Sequence, residues 1–247
     1  MGTIGFSFLL TSLAGLSTMI GVIPIFIKIK NKDKIIAASL SFASGVMLCV
    51  SITDLIPESI NMIRGYYSGL VVVILSFLFI LIGVVASCLV DKYLPTINYQ
   101  SLYRVGIISM LAIILHNIPE GIATFISTTK DTSLGFSLAT SIALHNIPEG
   151  ISISIPIYYS TRSKFKACGY TFISALSEPL GAVLTYLFLL PFVSDILLGL
   201  LFSFIAGIML QISLTELLPE AISYKESFIT KLFFVVGFIF MLLKVFI

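Results

Sequence analysis

Two copies of one hexapeptide hold both histidines of this chain: His116-Asn117-Ile118-Pro119-Glu120-Gly121 and His145-Asn146-Ile147-Pro148-Glu149-Gly150. On an α-helix, residues four apart share a face. His116 and Glu120 therefore point the same way with Asn117 beside them, and His145, Asn146 and Glu149 repeat the arrangement. Each copy offers an imidazole nitrogen, an amide oxygen and a carboxylate within about one turn. That mixture suits Zn²⁺, Fe²⁺, Mn²⁺ or Co²⁺; it does not suit Na⁺ or K⁺, and it lacks the thiolates that Cu⁺ prefers. Two facing sets can hold two ions with glutamates bridging, and one shared ion fits the spacing equally well. Pro119 and Pro148 lack an N–H, so the carbonyls of Leu115 and Leu144 lose their helical bonds and both helices are expected to kink. The structural alternative is that His and Asn act as interhelical hydrogen-bond glue. A lone histidine in an apolar helix reads that way; two identical copies, each with an acid, read as metal ligands.

Further acids sit in apolar surroundings. Glu178 stands in Ser174-Ala-Leu-Ser-Glu178-Pro179-Leu-Gly181, an acid followed by a helix breaker, and is expected to be a ligand or gate, with pairing to a neighbouring polar side chain as the alternative. Met47, Ser51, Asp54 and Glu58 form one stripe at helical spacing, matched by Met209, Ser213, Glu216 and Glu220. Their acids are expected to line the way in or out, or to be solvated helix ends. Met47 and Met209 read first as packing residues, with Met47 also a possible direct ligand.

The elements that must carry these residues follow from composition. Of 247 residues, 58% are apolar and 11% charged, where a soluble chain carries about a quarter charged. With a mean hydropathy of +1.12, the solvent is a bilayer. This excludes a secreted enzyme, a disordered chain and a nucleic-acid reader; a net charge of +2 supports no basic-patch argument. Cys49, Cys88 and Cys168 all lie in apolar runs and form neither a disulfide framework nor a CxxC motif. Eight runs are long enough to span, roughly 4–27, 36–59, 69–90, 104–127, 134–157, 168–190, 196–221 and 228–247. They fill residues 1–247 as one polytopic transmembrane domain. Polar joints separate them at Asn31-Lys32-Asp33-Lys34, Leu94-Pro95-Thr96, Lys130-Asp131-Thr132 and Thr161-Arg162-Ser163-Lys164. The first run has no basic residue before it and no cleavage site, so it reads as a span and not a secretory signal.

Lys and Arg set the orientation. Loops after runs 1, 3, 5 and 7 hold eleven of them: Lys28, Lys30, Lys32, Lys34, Lys92, Arg104, Arg162, Lys164, Lys166, Lys225 and Lys231. The other side holds three: Arg64, Lys130 and Lys244. Both termini are therefore expected outside the cytoplasm of a cell-membrane protein, and the lysine run 28–34 reads as an orientation signal in preference to a lipid-specific one. No Lys or Arg lies deep in any run, although an ionised group at mid-membrane costs at least about 2.5–3.5 kcal/mol. The acids must be protonated, hydrated or neutralised by a bound cation, and a cation pathway accounts for all of them together.

A second repeat joins runs 2 and 7. Residues 45–60, Gly-Val-Met-Leu-Cys-Val-Ser-Ile-Thr-Asp-Leu-Ile-Pro-Glu-Ser-Ile, align without gaps to residues 207–222, Gly-Ile-Met-Leu-Gln-Ile-Ser-Leu-Thr-Glu-Leu-Leu-Pro-Glu-Ala-Ile, with nine of sixteen identical. Copies five runs apart point opposite ways across a membrane. The expected fold is an all-α integral membrane protein of eight transmembrane helices, with an inverted repeat (spans 1–3 and 6–8) around a central helix pair, spans 4 and 5.

At these residues the chain resembles the zinc/iron permease (ZIP, Zrt/Irt-like) family, in particular its bacterial ZupT-like branch. The resemblance rests on the two His-Asn-Ile-Pro-Glu-Gly copies and on Ser-Glu178-Pro-Leu-Gly, and it covers essentially all eight runs. It implies a carrier that brings divalent transition metals into the cytoplasm, with both termini outside. It also implies a binuclear centre between spans 4, 5 and 6, held by His116, Asn117, Glu120, His145, Asn146, Glu149 and Glu178. Glu120 and Glu149 are the implied bridges, Met47 is the span 2 ligand, and a homodimer is the implied assembly. Many members carry a histidine-rich loop between spans 3 and 4; residues 91–103 contain no histidine, which speaks against metal sensing by that loop.

The resulting expectation is an importer of Zn²⁺ first, with Fe²⁺, Mn²⁺, Co²⁺ and Cd²⁺ as further cargo. The metal is a bound substrate and no prosthetic group is called for. No phosphate loop of the GxxxxGK[ST] type is present. Two rivals stand beside this reading. A membrane-embedded metalloenzyme would be expected to show HExxH or a di-iron ExxH set, not HxxxE with an intervening proline. A proton or monovalent-cation antiporter would explain the acids but not the paired histidines.

Overall fold

The computed structural model describes residues 2–27, 30–93, 101–192 and 194–243. Lys28, Lys244, the Leu94-Pro95-Thr96 joint and the end of the last run lie outside the described residues. The described chain forms eight helical rods and no strand. They are α1 Thr3–Phe26, α2 Lys32–Arg64 and α3 Gly69–Tyr93, α4 Ser101–Lys130 and α5 Thr132–Thr161, α6 Lys164–Leu189 and α7 Asp195–Ser223, and α8 Ser227–Leu242. Six of these are long and apolar enough to cross a membrane; α5, rich in Ser and carrying the second hexapeptide, and α8, at 16 described residues, are the two others. This is a multi-pass helical membrane protein.

The rods outrun the apolar runs because polar residues cap them. Asn31 accepts hydrogen bonds from the N–H groups of Asp33 and Lys34, Asp131 from Ser133 and Leu134, Ser163 from Lys166 and Ser194 from Leu197. Each satisfies N–H groups that the first helical turn leaves unpaired.

α2 and α4 are the most enclosed of the six apolar rods, and α3 is largely exposed along a face that includes Leu70, Val73, Phe77 and Val85. An apolar face of that size marks a surface that meets lipid or another protein. Glycine brings the rods together at backbone distance. A Cβ at Gly45 (α2) would strike the Phe234 carbonyl, and one at Gly237 (α8) the Phe42 carbonyl. A Cβ at Gly207 (α7) would likewise strike the Ile80 carbonyl, and one at Gly83 (α3) the Phe204 carbonyl. Without a hydrophobic force between helices in lipid, such close contact is what holds them.

α2 and α7 share a further irregularity. Ser51–Leu55 and Ser213–Leu217 are both π-helical, with the N–H of Ile56 bonding to Ser51 and that of Leu218 to Ser213. The two turns stand at the offset that relates Gly45 to Gly207. Each precedes a proline, Pro57 or Pro219, whose missing N–H already breaks the i→i−4 ladder, so a wider turn costs little there. Ser44 and Ser213 tie the two rods, their hydroxyls 2.9 Å apart and each donating to the other's carbonyl.

Candidate metal centre

The single residue Asp131 joins α4 to α5, so the two rods run antiparallel. Gly135 lies where a Cβ would strike Thr128, which lets them close tightly at the turn. Both rods pass through Pro119 and Pro148 as unbroken α-helix. Identical motifs on antiparallel helices meet head to tail. Nε2 of His116 lies 3.1 Å from Oε1 of Glu149, and Nε2 of His145 lies 3.5 Å from Oε1 of Glu120. Each histidine therefore faces the acid of the other copy.

α6 supplies the third acid. Asn146 Nδ2 donates to Glu178 Oε1 and to the carbonyl of Ala14, the latter at 3.0 Å. Gly121 faces the Glu178 carbonyl and Gly150 the Thr18 carbonyl so closely that neither has room for a Cβ. The motif glycines thus admit α6 and α1 to the pair. Ser17 secures α1 here by donating to the carbonyls of Ala14, at 2.6 Å, and Ala143, at 3.0 Å.

His116, Asn117, Glu120, His145, Asn146, Glu149 and Glu178 are all buried. Several of their polar atoms have no protein partner: both amide atoms of Asn117, Nδ1 of His145, Oδ1 of Asn146, Oε2 of Glu149 and Oε2 of Glu178. A buried polar atom without a partner costs about 1–3 kcal/mol, so so many in one region fit a site that receives a cation or water. As arranged, the residues pair with one another: among the described residues no three of His, Cys, Asp and Glu converge on a common point.

Met47 is fully buried in the apolar core of α2. The stripe expected from uniform α-helical spacing divides at the π turn. Met47 and Ser51 face the core, with Ser51 Oγ donating to the Met47 carbonyl, while Asp54 and Glu58 turn into a cavity of about 420 Å³. Asn61, Ser141, Glu120 and His145 also line that cavity. Glu58 and Asn61 are exposed and His145 is buried, so it runs from the Arg64 and Lys130 end of the bundle to the His145–Glu120 pair. Glu216 and Glu220 lie at the opposite end. There Arg104 donates to Asp91 Oδ1 at 2.7 Å, within electrostatic reach of Glu216.

Sequence reasoning missed Asn61, Ser141 and the Ala14 carbonyl. Ser141 had a signal, since it precedes His145 by one helical turn. The Ala14 carbonyl had none, because a backbone acceptor carries no side-chain signature.

A family model described as ZIP Zinc transporter matches residues 96–244. The chain belongs to the ZIP zinc transporter family. Membership in ZIP makes it a transporter and not an enzyme. The zinc transporter ZupT of Clostridium perfringens (strain 13 / Type A) is 39% identical over 259 residues, covering 92% of this ZIP chain and 90% of that protein. ZupT of Streptococcus mutans serotype c is 41% identical over 235 residues, covering 88% of each. ZupT of Campylobacter jejuni is 37% identical over 256 residues, covering 89% of this chain and 88% of that protein.

Proposed function

We propose that this ZIP protein imports divalent transition metals, Zn²⁺ first and Fe²⁺, Mn²⁺, Co²⁺ and Cd²⁺ as further cargo, across the cell membrane into the cytoplasm. The observation that carries the reading is the cavity that begins at Glu58 and Asn61 and ends on the buried His145–Glu120 pair. A hydrated ion meets Asp54 and Glu58 first, loses water stepwise, and reaches His116, Asn117, Glu120, His145, Asn146, Glu149 and Glu178 at mid-depth. Two ions with Glu120 and Glu149 bridging is the arrangement that the two reciprocal His–Glu pairs favour. Met47, buried on α2, is the ligand that rod contributes. Glu216 and Glu220, beside Asp91 and Arg104, line the way out.

In this reading all eight rods cross the membrane with both termini outside, and two copies form a homodimer. Spans 1–3 and 6–8 form an inverted repeat, supported by the matched π turns and by glycine contacts that pair α2 with α8 as they pair α7 with α3. An inside-negative potential favours each inward charge by about 2.3 kcal/mol per 100 mV, so import of a divalent ion needs no nucleotide.

The test is metal flux into sealed proteoliposomes. Zn²⁺ uptake that saturates and is lost in Glu120→Ala is the expected result. No movement of Zn²⁺, Fe²⁺ or Mn²⁺ between about pH 5.5 and 8, the range over which protons compete for the ligands, sinks the proposal. Unchanged uptake by Glu120→Ala would sink the ligand assignment alone.

A further inference from the structure

Four rod ends meet on the face opposite the cavity: the end of α1, the start of α2, the end of α5 and the start of α6. They enclose a pocket of about 440 Å³ lined by Lys30, Lys32, Tyr158, Tyr159, Arg162 and Lys164. We propose that this pocket binds the phosphate headgroup of an anionic phospholipid.

Four cations drawn from segments 130 residues apart in sequence converge here, and among the described residues none of them pairs with a carboxylate. Lys164 Nζ instead sits 4.4 Å from the centre of the Phe26 ring, and the Arg162 guanidinium 5.8 Å from that of Tyr159. The positive-inside rule needs basic residues on one side of the membrane; it does not need them gathered in one pocket. Gathered like charges repel, and an anion among them turns that cost into a gain. The two phenols at the pocket supply hydroxyl donors.

The neighbouring surface decides for a lipid over a soluble anion. Ile23 and Phe26 of α1 and Ile27 just beyond it are 57%, 56% and 58% exposed and form an apolar strip leading from the pocket. Acyl chains can lie on that strip while the phosphate sits among the cations, and tyrosines at this level match the membrane interface. The inference does not depend on the transport reading.

The test is native mass spectrometry of the delipidated full-length protein with added phosphatidylglycerol or phosphatidylcholine. Phosphatidylglycerol should bind at least about tenfold more tightly, and Lys30→Gln/Arg162→Gln/Lys164→Gln should weaken it by about fivefold per charge removed. Lys30→Arg/Lys164→Arg should retain it. Equal retention of the two lipids by the unsubstituted protein overturns the proposal, and so does tight phosphatidylglycerol binding by a triple variant with unchanged thermal unfolding. The comparison of lipids on the unsubstituted protein decides even if that variant fails to fold. Inorganic phosphate that binds more tightly than phosphatidylglycerol would assign the pocket to a soluble anion and overturn the lipid.

Discussion

Nε2 of His116 on α4 lies 3.1 Å from Oε1 of Glu149 on α5, while His145 on α5 faces Glu120 on α4. The HxxxE spacing puts each histidine on the same face as its own motif's acid; the antiparallel crossing makes each histidine the partner of the other motif's acid. In the proposed reading the four side chains act as one unit, and a cation entering it would replace His–Glu contacts with its own.

That coupling is measurable. His116→Ala and Glu149→Gln should each weaken Zn²⁺ binding strongly, and the double variant should fall short of their sum by about 0.5–3 kcal/mol. Isothermal titration of the two single variants and the double variant supplies the cycle. Strict additivity would mean that the two side chains do not share an ion.

Proton competition gives uptake a definite slope with pH. Metal ligation needs neutral imidazoles and ionised carboxylates, so acid opposes it. The apparent KM for Zn²⁺ should fall as pH rises from about 5.5 to 7.5, by up to roughly tenfold per unit for each proton displaced. Initial uptake rates into liposomes at fixed membrane potential check this; a KM that rises with pH contradicts it.

The cavity predicts a side. In a background with Cys49, Cys88 and Cys168 replaced, Ser141→Cys should react with a membrane-impermeant thiol reagent added outside cells. Zn²⁺ should slow the reaction, because the cavity leads to His145. Labelling only from the cytoplasmic side would reverse the assigned orientation.

Gly121 is expected to tolerate no side chain. Gly121→Val places methyl groups where the Glu178 carbonyl stands, and overpacking of this kind costs about 1–3 kcal/mol or more. The thermal unfolding midpoint in detergent should drop, and α6 should separate from α4 with loss of uptake. Gly169→Ala, at a position with open space, serves as the control and should unfold as the parent does.

The sequence alone determined the elements and the side-chain types gathered at the candidate centre. Runs of about 20 apolar residues mark membrane-crossing helices, and helices stand where the runs lie, six of them long and apolar enough to cross, with caps at Asn31, Asp131, Ser163 and Ser194. The hexapeptides, Glu178 and the repeat in runs 2 and 7 were legible because side-chain chemistry and spacing are written in the chain.

Partnership was decided only by tertiary structure. A helical period says which residues share a face of one rod; it says nothing of which rod stands opposite, so the crossed His–Glu pairs and the Asn146–Glu178 contact could not be read. Nor could the split between Met47 and Asp54, because a π turn is a change of hydrogen-bond register beside Pro57 that the same residues in a regular helix would not show. The gathering of Lys30 with Lys164 is of the same kind, since charges distant in the chain become neighbours only when rod ends pack.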